Sequence, residues 1–93
     1  MGLDVRDLVF DDDNEAKFAT HHISVDEVEQ VLDKAPRFFV NRLDRRASHV
    51  MVGPTLGGRL LVVPLEDWGG DGYWRPVTAF DATAREEQRY SRR

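Results

Sequence analysis

The chain has 93 residues, no cysteine and a formal net charge of −4, with 41% hydrophobic and 32% charged residues. That suffices for one small core, expected to span residues 1–93 as a single domain, and leaves no material for a second. Disulfides, thiolate nucleophiles and thiolate metal sites are excluded, and no apolar run approaches membrane-spanning length, so a soluble, cytoplasmic chain is expected.

Val5 to Phe10 is a short β-prone run ending in Asp11-Asp12-Asp13-Asn14, which supplies helix-capping side chains and early negative charge. Asn14 to His22 follows as a two-turn helix with Phe18 as its main core contact. Ser24-Val25-Asp26-Glu27 is a capping box: the serine oxygen accepts a free backbone N–H, and the glutamate reaches back to the cap. Behind it Val25, Val28, Val31, Leu32 and Ala35 form one apolar stripe at helical spacing, and Pro36 stops the helix.

After Pro36 the period changes. Phe38–Val40, His49–Val52 and Leu60–Leu65 are apolar and rich in β-branched or aromatic residues, with turn material around residues 44–46 and 54–58. Gly69-Gly70-Asp71-Gly72 precedes a further strand, Tyr73 to Phe80. A second capping box, Thr83-Ala84-Arg85-Glu86, starts a last helix through about Tyr90. The expected order is β-α-α-β-β-β-β-α, an α+β domain with helices packed on one antiparallel sheet.

The charge is distributed in blocks. Residues 1–33 carry ten acidic and two basic side chains, whereas residues 34–59 carry six basic and one acidic. A chain with an acidic total can therefore still present a basic face, although alternating blocks are equally what a solvated surface contains.

Three stretches carry a family resemblance. His21-His22-Ile23-Ser24 stands before the acidic helix Asp26-Glu27-Val28-Glu29, and Gly53-Pro54-Thr55 precedes Gly58-Arg59-Leu60-Leu61-Val62-Val63. The most specific is Arg75-Pro76-Val77-Thr78-Ala79-Phe80-Asp81-Ala82-Thr83-Ala84-Arg85-Glu86, followed by Tyr90. In this order and spacing they resemble the BrnT-type toxins of bacterial type II toxin–antitoxin systems, within the RelE-like superfamily of small endoribonucleases. The resemblance implies a RelE-like fold, an antitoxin protein as partner, and RNA as substrate. Phe80 stands where that family usually has arginine and Thr20 where it often has lysine, so two cations of the family pattern are replaced.

Cleaving RNA without a metal needs a base for the 2′-hydroxyl, cations for the phosphate and an acid for the leaving oxygen. His21, Arg59, Arg75 and Glu86 match the family motifs and suit these roles, with the arginines holding phosphate through two-pronged hydrogen bonds. Arg42, Arg45, Arg46 and Tyr90 are the accompanying RNA-binding candidates. Each residue also has a plain structural use. His21 can cap backbone carbonyls, Glu86 completes a capping box, and the arginines can pair with the acidic helix. A metal site is not expected, because adjacent His21 and His22 point about 100° apart on a helix and only His49 remains. No cofactor is expected either. Trp68, Tyr73 and Trp74 beside the Gly69–Gly72 turn suit core packing or, alternatively, stacking on bases or a partner. The second reading of the chain is a catalytically degenerate member of the same fold that binds a protein partner or forms a homodimer.

Overall fold

A computed structural model describes residues 3–42 and 46–91 and contains nine elements. Arg45, one of the RNA-binding candidates, lies outside the described residues. In chain order the elements are β1 (Asp7–Leu8), α1 (Asp12–Thr20), α2 (Val25–Asp33), β2 (Arg37–Val40), β3 (His49–Pro54), β4 (Leu60–Asp67), β5 (Tyr73–Pro76), β6 (Phe80–Asp81) and α3 (Ala84–Ser91). They form a small α+β domain with three helices and one six-stranded sheet.

Both helix starts in the first half follow from their caps. Asp11 accepts the Asn14 N–H while Asn14 accepts the Asp11 N–H, so α1 begins two residues before the expected Asn14. Asn14 also donates to the carbonyls of Val9 and Pro76, both at 3.0 Å, and so fastens α1 to the ends of two strands from a fully buried position. At α2 the Ser24–Glu27 box forms as its sequence requires. Val28 and Val31 are buried, but Ala35 is exposed with φ of 52°, because the helix closes at Asp33 and the chain turns before Pro36.

The strand order is β1-β5-β4-β3-β2, with β6 pairing the first half of β4 beside β5. Two expectations are corrected here. Tyr73 to Phe80 is not one strand: β5 ends at Pro76, the pairing lapses, and Phe80–Asp81 re-forms it as β6, so the order gains a strand. The sheet is mixed rather than antiparallel, because β1 runs parallel to β5. A parallel neighbour needs a long crossover, and α1, α2 and three strands lie between these two.

Register separates the two faces. Met51, Leu61, Val63 and Leu65 point to α1 and α2 and meet Phe18, Val28 and Val31 in the core. Gly53 belongs to the same face and lies under the end of α2, where an added Cβ would come within 3.1 Å of both Pro36 and Val31. The opposite face carries Phe39, Val50, Val52, Val62 and Pro64, and α3 crosses it from β6 to β2. Among the described residues no helix is long and apolar enough to cross a membrane.

Candidate functional site

Arg59 and Arg75 belong to different places. Arg59 precedes β4 and follows the parity of Leu61, Val63 and Leu65, on the α1–α2 face. Arg75 pairs in register with Glu66, the seventh residue of β4, on the opposite face. Their backbones are thus roughly 23 Å apart at ~3.3 Å per residue. The expectation that Arg59 and Arg75 hold one phosphate together is corrected by this geometry.

Each guanidinium is also occupied. A guanidinium has five N–H donors. Those of Arg59 reach Asp81 twice, at 2.6 and 3.0 Å, the His22 carbonyl at 2.7 Å, the His21 carbonyl at 2.9 Å and Glu27 at 3.5 Å. It rivets the α1–α2 turn, where His22 has φ of 58°, to the start of β4 and to β6. The hydrogen bonds from Arg59 hold the Asp81 carboxyl below its ordinary range, and Asp81 holds the guanidinium above its own.

Arg75 is 4% exposed and donates to Asp11 at 2.7 and 3.0 Å, to Glu66 at 2.8 Å and to Asp13 at 3.3 Å. Its guanidinium also lies 5.3 Å from the Trp68 ring centre. Hydrogen bonding to Arg75, seconded by the Asn14 N–H, lowers the Asp11 carboxyl to about 2, while Asp11 and Glu66 raise Arg75 against the cost of its burial. Arg46 donates two hydrogen bonds to the same Glu66, at 3.0 and 3.2 Å.

The remaining proton-transfer candidates are separated as well. His21 is exposed at the end of α1, with its ring 6.3 Å from Phe80. Glu86 accepts from Thr83 N–H at 2.8 Å, the capping role its sequence position suggests, yet its residue also lines the open face. Tyr90 gives its carbonyl to Arg37 at 3.0 Å and is half-buried.

What the fold does gather is a groove of about 1070 Å³ on the face crossed by α3. Cross-strand register places Arg37, Val52, Val62 and Phe80 in one row, with Phe39, Val50, Pro64 and Val77 in the next. Val52 and Val62 of the first row are buried, whereas the second row is half-exposed and forms the floor. The Arg75–Glu66–Arg46 cluster follows at the far side. Arg42, Arg46, Arg85 and Arg89 stand around the groove. Arg42 and Arg85 make no ion pair among the described residues, and Arg89 lies 4.0 Å over the Phe39 ring.

Arg42 and Arg46 are thus brought together with Glu86, while His21, Arg59 and Arg75 stay outside the groove. Sequence reasoning missed Arg85 and Arg89 as groove residues and Asp81, Asp11 and Glu66 as arginine partners. The available signal was that Phe38-Phe39, Val50-Met51-Val52 and Leu61-Val62-Val63 are apolar at both parities, which marks a sheet covered on two faces. No family model, curated protein or solved structure matches this chain.

Proposed function

We propose that this chain is a toxin-like protein of the BrnT type on a RelE-like fold, one half of a cytoplasmic toxin–antitoxin pair, and that it works by binding its protein partner through the open-face groove. One observation carries this reading. Both motif arginines are consumed by the chain's own carboxylates on opposite faces, while Arg42, Arg85 and Arg89 surround an apolar floor. Occupied guanidiniums brace a fold, whereas an arginine-rimmed apolar groove suits a partner with apolar anchors and acidic flanks.

The test is co-expression of the tagged chain with the protein encoded beside its gene. Capture of that protein is expected, and Arg85→Ala with Arg89→Ala should abolish it. Arg85→Ala alone, which leaves the Arg89–Phe39 contact that holds α3, should weaken it while circular dichroism stays unchanged. Capture unaffected by the double substitution would overturn the groove as the binding site.

A second reading, a metal-independent endoribonuclease, is favoured by one observation: Glu86 opens on the same groove as Arg42, Arg46 and Arg85. A carboxylate beside several cations can take a proton from a 2′-hydroxyl while the cations hold the phosphate. Cleavage of RNA by purified protein in excess chelator, abolished by Glu86→Gln, would establish this reading in place of the first.

A further inference from the structure

The groove reaches the side of the sheet where β2 is the last strand. The Asn41 N–H donates to the Ser48 carbonyl at 2.9 Å, continuing the β2–β3 register. Antiparallel alternation then turns Phe39 and Asn41 toward β3, and turns the N–H and C=O groups of Phe38 and Val40 outward. Among the described residues no strand pairs with that outer side, and Val40 is 69% exposed. An edge with outward backbone groups and an exposed β-branched side chain is a template for strand addition.

We propose that the outer edge of β2 takes an extended acidic segment of the partner protein as an added strand. Its carboxylates would alternate toward Arg42 and Arg89 at the groove, and its apolar side chains toward Phe38 and Val40. This rests on the partner-binding reading and adds the partner's conformation and chemistry. Charge decides the occupant. Antiparallel pairing with a second copy through Phe38 and Val40 would bring the two Arg89 side chains, each over its own Phe39, to one seam. It would also set Arg42 toward the Arg37 end of the other copy, and like charge opposes both. RNA is disfavoured at this edge: Val50, Pro64 and Val77 of the floor offer no aromatic stacking surface, Arg89 already covers the Phe39 ring, and Phe80 lies on β6, across the sheet from β2. A strand with carboxylates on one side and aliphatic groups on the other meets both the cations and the edge.

The probe is a fluorescein-labelled peptide with glutamate and valine alternating over six residues between Gly-Ser ends. Val40→Pro removes one outward N–H and leaves the β3 pairing intact, since proline is accepted on an edge when its N–H side faces solvent. We expect saturable, salt-sensitive binding that Val40→Pro weakens about tenfold. Val40→Thr, which keeps the N–H, should stay within about twofold. Arg42→Ala should weaken binding and flatten its salt dependence. Circular dichroism of each variant checks the fold.

The proposal is overturned if a block-ordered peptide of the same composition binds equally, if folded Val40→Pro binds unchanged, or if the alternating peptide does not bind by about 1 mM. Sedimentation showing a wild-type dimer that Val40→Pro dissociates would give the edge to a second copy. Oligouridine binding weakened by Val40→Pro would give it to RNA. Either result refutes strand addition by an acidic segment. Capture of the partner protein that survives Val40→Pro but not Arg85→Ala with Arg89→Ala would overturn only the strand addition and leave the binding groove standing.

Discussion

Replacing Arg75 by alanine is the sharpest test of the view that this arginine braces the fold. The side chain is 4% exposed, and its loss would leave Glu66, Asp11 and Asp13 with one cation fewer between them. Breaking a buried pair by removing one member costs about 3–5 kcal/mol. Here Asp11 and Asp13 are 40% and 64% exposed and can rehydrate, while Glu66, at 13%, keeps Arg46. We therefore expect a loss of about 2–3 kcal/mol, below the fully buried figure. For a domain of this size that lowers the melting temperature by about 10–20 °C. Urea and thermal unfolding followed by circular dichroism read it directly. Arg75→Lys keeps the charge without the planar fork and should recover less than half of the loss. An Arg75→Ala protein within about 0.5 kcal/mol of wild type would refute the bracing role, because that is the range of an ordinary surface substitution.

Acid should unfold the protein through the same cluster. The Asp11 carboxyl is held at about 2 against an ordinary 3.8, so its contribution is present above 3.8 and lost as the pH falls toward 2. Melting temperatures should drop across that interval, Asp81 adding in the same direction, and Asp11→Asn, which still caps α1, should flatten the drop. Gly53→Ala should cost about 1–3 kcal/mol in urea unfolding, because its Cβ would press on Pro36 and Val31 at 3.1 Å; an unchanged midpoint would show that α2 yields. Phe80→Arg places a cation between His21 and the groove and separates the two readings. On the endoribonuclease reading it should steepen the salt dependence of oligouridine binding by about one phosphate contact, and on the partner-binding reading it should leave that slope unchanged. No change in that slope would mean that RNA does not reach this edge.

Local features were legible in the sequence because local chemistry determines them. The Ser24–Glu27 and Thr83–Glu86 boxes form from residues three apart, and the stripe through Val28 and Val31 faces the core as its spacing requires. The β2–β3–β4 meander was legible from its three apolar runs and from the turn at 54–58 for the same reason, the expected turn residues 44 and 45 lying outside the described residues. The parallel partnership of β1 with β5 was hidden, since it joins residues far apart and each strand reads alike in either direction. The candidate site was hidden more deeply. An arginine that grips a ligand and one that grips Asp81 are the same letter, and only the closure of β6 onto β4 brings Asp81 to Arg59. Arg85 and Arg89 read as solvated helix positions until α3 lies across the sheet.

The last helix has no buried residue, although both earlier helices have two each. It is held on by Arg89 over Phe39 and by the bond from Arg37 to the Tyr90 carbonyl, with little apolar surface sealed beneath its own side chains. Detachment of such a segment exposes the valines under it without dismantling the α1–α2 core, so it sits at the cheap end of local unfolding. Amide exchange along α3 should outrun that of α2 by orders of magnitude, and the width of the cleft below becomes a fluctuating quantity set by how often that helix lifts.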